Sequence, residues 1–198
     1  MTFRAFRLSV AIAASGLLAA PQAWATTYAI DPDHTTVGFK VRHILSYVTG
    51  TFDKVEGTFD YIPNLPVQWK VSATIQAASI DTRVADRDKH LRSKDFLDAE
   101  QYPTLTFQST GVTDATPTSA KLQGLLTIHG VEKPVVLGLT VHGVAKDPWG
   151  KTRAGATATT TINRKDFGVS WNKVLDTGQL LVGDDVEIVL EVEGIAQE

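Results

Sequence analysis

The 198-residue chain contains no cysteine. Disulfides, thiolate metal sites, iron–sulfur clusters and CxxCH haem attachment are therefore excluded, and the fold must hold by packing alone. Beyond residue 25 no apolar run is long enough to cross a bilayer, so no membrane span is predicted in the mature form. A basic excess is missing as well: 19 Lys and Arg stand against 22 Asp and Glu. No general positive field is available for nucleic acid or an anionic membrane.

Catalytic spacing is equally scarce. The histidines, His34, His43, His90, His129 and His142, form no HExxH or HxH pattern, and neither GxSxG nor a glycine-rich phosphate loop occurs. Asp86 and His90 stand four residues apart, a spacing that most often gives a solvated pair. Asp95, Asp98 and Glu100 carry no feature that marks paired catalytic carboxylates. The reading is a non-enzymatic protein with no catalytic residues, no metal and no cofactor. Its rivals are a lipid-modifying enzyme using His43 and His90, and an interaction protein with a filled interior.

What is present begins with residues 1–25, MTFRAFRLSVAIAASGLLAAPQAWA. Arg4 and Arg7 precede an apolar run that closes on Ala23-Trp24-Ala25, the pattern of a secretory signal cleaved after Ala25. The remaining 26–198 form one domain, expected in the periplasm. With Arg4 and Arg7 removed, 17 basic side chains face 22 acidic ones, a net charge of −5.

Period-two alternation dominates this domain. TTVGFKVRHI sets Val37, Phe39 and Val41 against Lys40 and Arg42, and QWKVSATIQA sets Trp69, Val71, Ala73 and Ile75 against polar neighbours. TLTFQS, KLQGLLTI, PVVLGLTVHG and DVEIVLEVEG repeat the pattern, with turn residues between them. Eight or nine long antiparallel strands with one apolar face are expected. Closing them into a barrel removes their exposed edges, and a two-sheet sandwich is the main competitor.

The strand RAGATATTTI has small residues on both faces before Ile162. Small side chains facing a barrel axis leave an apolar tunnel; the same residues also suit close strand crossings in a filled barrel. A tunnel would suit a long hydrocarbon chain, since each methylene taken from water gains about 0.8 kcal/mol. RDKHLRSKDFLDAEQYPTLTF, residues 87–107, departs from the alternation. It reads as a polar helix from Val84 to about Leu97, capped by Asp81 or Thr82 and laid over or beside the barrel, followed by a turn at Tyr102-Pro103. Arg164 and Lys165 in NRKDFG offer donors for a lipid head near a barrel mouth, or ordinary turn chemistry.

DHTTVGFKVRHI, SIDT followed by RDKHLRSKDFLDAEQYPTLTF, GVEKPV at 130–135 and NRKDFG at 163–168 together resemble the YceI-like family over essentially the whole mature domain. Glu132 stands where many members have threonine, and Thr35 where many have serine. The resemblance implies an extended, eight-stranded antiparallel lipocalin-like barrel with one short helix. It further implies a polyisoprenoid, isoprenoid quinone or fatty-acid derivative as ligand, and no established catalytic residues. Alternation nominates Phe39, Val41, Trp69, Val71, Ile75, Phe107, Leu126, Leu137 and Leu139 as chain contacts, with Arg42 or His43 meeting the head group. A register error of one residue would turn every one of them outward. Whether the protein is a monomer or a homodimer, and whether the helix gates the tunnel, stays open.

Overall fold

A computed structural model describes residues 25–63 and 65–197, so the leader assigned to 1–25 lies, except for Ala25, outside the described residues. Eleven antiparallel strand segments follow the alternating stretches: β1 (Thr26–Ile30), β2 (Thr36–His43), β3 (Ser46–Phe52), β4 (Val55–Tyr61), β5 (Lys70–Gln76), β6 (Ile80–Asp81), β7 (Thr104–Thr113), β8 (Ser119–Ile128), β9 (Val131–Lys146), β10 (Thr152–Asn163) and β11 (Val182–Ala196). The first six make three interrupted strands. A 3₁₀ turn at Pro32–His34 separates β1 from β2, and both pair with β11. Likewise β4 and β3 pair with β5 and β6 across the break at Ala77–Ser79.

Counted this way the sheet has eight strands and is closed, because β11 pairs with β10 on one side and with β1 and β2 on the other. The barrel expectation holds, and the sandwich does not. Closure satisfies the ladder hydrogen bonds that an open edge would leave free.

One short helix, α1 (Ala85–Arg92), follows β6. It is shorter than the stretch from Val84 to Leu97 that composition suggested, because Ser93 breaks the helical backbone and residues 94–102 turn back toward β7. Neither Asp81 nor Thr82 caps it. The N-cap is Val84, which makes no side-chain bond. Asp81 instead accepts from the Arg83 amide at 2.6 Å, while Thr82 donates both its amide and its hydroxyl to Asp88, at 2.8 and 2.5 Å. Asp88 is buried. Burial disfavours its charge, but the two bonds from Thr82, with Arg92 and Arg87 close by, outweigh this and lower its pKa. This polar knot ties the helix to the barrel end.

At one end of the barrel lie the β2–β3 turn, α1, the β8–β9 turn and the irregular segment 164–181. At the other lie the β9–β10 turn and the start of β1. A packed core of Leu105, Phe107, Leu122, Leu126, Ile128 and Phe167 occupies the wall beneath β7, β8 and β9. Phenylalanine rings elsewhere lie flat on facing glycines. A Cβ at Gly50 would stand 2.5 Å from the Phe39 ring, and one at Gly194 2.5 Å from Phe59; at Gly124 it would run into Phe107. Glycine at these positions lets each ring cover the neighbouring strand instead of crossing the lumen.

Candidate functional site

The interior is hollow. A cavity of about 620 Å³ runs from Ile30, Tyr61, Trp69, Gly143 and Val192 at one end to His43, His90, Trp171 and Leu181 at the other. It falls within the range of small-molecule sites, roughly 300–1,000 Å³, and the filled-barrel reading is set aside on that ground. The inward side chains of β11 (Val186, Ile188, Leu190 and Val192) are only half-buried although they face away from bulk solvent, because the lumen in front of them is empty.

The small-residue strand supplies part of that space. Ala154, Ala156, Ala158 and Thr160 of β10 line the cavity between Leu137, Leu139 and Val141 of β9 and the valines and leucine of β11. Alanines flanked by larger residues on both sides recess one stripe of the wall.

Of the residues nominated from sequence, Phe39, Val41, Trp69, Val71, Ile75, Phe107, Leu126, Leu137 and Leu139 all face this one cavity, and His43 lies at its α1 end. Trp69 precedes β5 instead of lying in it, and its indole nitrogen donates to the Ile62 carbonyl at 2.7 Å. Arg42 is a correction. Alternation along β2 turns it outward, where it is exposed and donates to the Ile44 carbonyl at 3.0 Å. It therefore does not share the lumen with His43.

The α1 end holds most of the polar lining. Asp86, Arg87 and His90 project from α1, and among the described lining residues Asp86 alone is exposed, so the cavity meets solvent beside the helix. His90 and Asp86 do not form the pair their spacing suggested. His90 Nε2 lies 2.8 Å from Asp95 Oδ2, and the imidazole packs edge-on against Phe96 and Trp171, with ring centroids 5.0 and 4.9 Å away. Phe96 and Trp171 in turn are 5.1 Å apart, so three rings partly close this end.

Arg164 is buried and lines the same end, yet most of its donors are taken. It bonds to the carbonyls of Gly183, Val169 and Trp171 at 2.8–2.9 Å and to Asp184 at 3.3 Å. Burial pulls its pKa down, and Asp184 opposes this. Lys165 pairs with Asp184 at 2.8 Å. The NRKDFG residues thus fix the irregular segment 164–181, with both cations already engaged by carbonyls or Asp184.

At the far end, Arg153 binds Asp31, Asp147 and Glu193 at 2.7, 2.9 and 2.6 Å. Asp31, His34 and Glu193 place ligand atoms within 4.8 Å of one another. The guanidinium already lies on two of these carboxylates and supplies the positive charge a cation would bring.

Several wall residues were not nominated from sequence. Phe52, Val55 and Phe59 belong to GTFDKVEGTFDY, and Val48 lies just ahead of it, where glycines and a break at Asp53-Lys54 blur the alternation. The inward faces of β10 and β11 were legible as alternation but were not named as contacts. Phe167, Val169, Trp171 and Leu181 come from irregular backbone, whose facing no period reveals.

Fold and cavity together define a hollow, closed antiparallel barrel of lipocalin-like type with an apolar interior. The chain belongs to the YceI-like family: the YceI-like domain matches residues 28–194. A UPF0312 protein of Ectopseudomonas mendocina is 43% identical over 179 residues, which covers 89% of this chain and 91% of the relative. The solved YCEI protein of Campylobacter jejuni is 34% identical with a TM-score of 0.67, over 85% of this chain and 96% of that one. A Saccharophagus degradans domain described as polyisoprenoid binding shares the fold at 14% identity and a TM-score of 0.67, over 87% and 99% of the two chains. No helix among the described residues is long and apolar enough to cross a membrane.

Proposed function

We propose that this protein is exported to the periplasm and holds one long-chain amphiphile in its barrel, as a carrier, reservoir or scavenger. The ligand is a polyisoprenoid, an isoprenoid quinone or a fatty-acid derivative. The observation that carries this reading is the apolar wall around about 620 Å³, continuous from Trp69 to Leu181. Each methylene moved there from water gains about 0.8 kcal/mol. The fold shared with a domain described as polyisoprenoid binding supports the same ligand class.

The chain enters beside α1, with its tail along Val71, Phe39 and Leu139 toward Tyr61 and its head near His43 and Arg87. The lipid is bound and released unchanged; at that end His90 is held by Asp95 and Arg164 by backbone carbonyls. One lipid binds per chain, whether the protein acts alone or as a homodimer.

Titration of lipid-stripped protein with polyprenyl and fatty-acyl ligands of increasing length, followed by native mass spectrometry, tests this. Uptake of one ligand per chain is expected, with affinity rising with chain length and the ligand recovered intact. Affinity independent of length, or turnover of the ligand, would overturn it.

A further inference from the structure

The barrel end that carries the cavity mouth also carries exposed apolar residues. Leu45, at the tip of the β2–β3 turn, is 92% exposed; Val174 in segment 164–181 is 68% exposed; Val84, at the start of α1, is 47% exposed. Folding alone gives no reason to hold these side chains in water. Backbone bonds place the first two side by side: the Ile44 amide donates to Leu181 at 3.0 Å, and the Leu181 amide donates to Lys173 at 2.9 Å. Val84 opens the helix whose Asp86, Arg87 and His90 line the same mouth.

Each of the three has an exposed cation beside it. Arg42 folds onto the Leu45 turn through the Ile44 carbonyl, Arg83 precedes Val84, and Lys173 precedes Val174. None of these cations forms an ion pair among the described residues, whereas Lys165 in the same segment does. Asp86 and Asp176 are exposed acids at this rim.

We infer that this rim docks the barrel mouth onto an anionic bilayer surface, so that lipid passes between membrane and lumen without crossing water. The inference rests on the lipid-binding reading above. Three separate apolar tips, each flanked by a cation, match an interfacial anchor: the tips enter the acyl boundary while the cations meet lipid phosphates. The domain's net charge of −5, 17 basic against 22 acidic side chains, counts every side chain of the barrel, near the rim and far from it. At physiological salt, charges more than about 8 Å from the surface are screened, so the rim cations govern the contact.

The test is co-sedimentation of the protein, purified from expressing cells, with phosphatidylcholine vesicles carrying 30% phosphatidylglycerol, and with phosphatidylcholine vesicles alone. Binding is expected on the anionic vesicles and weakened by salt. Each of Arg42→Gln, Arg83→Gln and Lys173→Gln should lower it roughly fivefold. The double variant Leu45→Asp/Val174→Asp should abolish it while still taking up lipid presented in detergent micelles, which also reports that the variant is folded. Vesicle binding unaffected by these changes, or directed equally to both vesicle types, overturns the docking surface. Wild-type protein that loads lipid from micelles but ignores vesicles overturns docking alone. Protein that binds vesicles but never loads lipid overturns the cavity reading and leaves the docking surface standing.

Discussion

Ala156→Phe places a ring in the lumen and separates a hollow barrel from a filled one. Ala156 sits on β10 between Val141 and Val192, lines the cavity, and is half-buried because the space before it is empty. A ring introduced there points into the cavity that Ala156 lines. Full burial of a phenylalanine side chain is worth about 1.5–3 kcal/mol. Partial burial against the lumen wall should leave the lipid-free protein unchanged or up to about 1 kcal/mol more stable. The ring takes the space of about six methylenes, worth roughly 5 kcal/mol to a bound chain at 0.8 each. Rerouting of the chain should leave about half of that loss, a weakening of tens to a hundredfold. Ala77, 1% exposed in the packed core and not part of the cavity wall, is the control: Ala77→Phe should cost about 1–3 kcal/mol by overpacking. Urea denaturation of stripped protein and competition against a fluorescent long-chain fatty acid measure both effects. Loss of more than about 2 kcal/mol in the Ala156 variant, with lipid affinity intact, would refute the hollow lumen.

Asp88→Asn removes the charge that receives both Thr82 donors, and should cost about 1–3 kcal/mol; hydrogen exchange should show α1 opening ahead of the barrel. Arg153 is the first cause holding the Asp31 and Asp147 carboxylates below their ordinary range. A depressed folded-state pKa contributes stability in full above that range and loses it as pH falls through the lowered values. Thermal midpoints should therefore drop below about pH 4, and Arg153→Met should lower the midpoint at neutral pH while flattening that acid slope; an unchanged slope contradicts the assignment. Gly50→Val drives a side chain into the Phe39 ring, which must swing into the lumen. A cost of about 1–3 kcal/mol with reduced uptake of the longest chains is expected, read by denaturation and by the length series together.

The barrel was legible because period-two alternation survives in β2, β5, β8, β9 and β11, and because one face is apolar in each. The cavity wall followed from the same alternation: Phe39 and Val71 point inward because their polar neighbours point outward. The hollow was favoured but not decided by pattern, since alanines at 154, 156 and 158 suit a lumen and also a tight crossing, and only the distance to the facing wall separates the two. Arg42 was misplaced because it was grouped with His43 as a neighbour in sequence, although consecutive residues on a strand face opposite ways. The α1 end was the least legible part. Trp171 reaches His90 and Phe96 through segment 164–181, which Arg164 holds by three carbonyls and which has no period to read.

The most direct test of the central claim is native mass spectrometry of protein purified without detergent from its own cells, followed by solvent extraction and identification of whatever is released. The account predicts one hydrophobic molecule per chain, with a long isoprenoid or acyl tail, and its absence from the Ala156→Phe variant. Protein that repeatedly arrives with an empty lumen, and that takes up no such lipid when it is offered, would contradict the account.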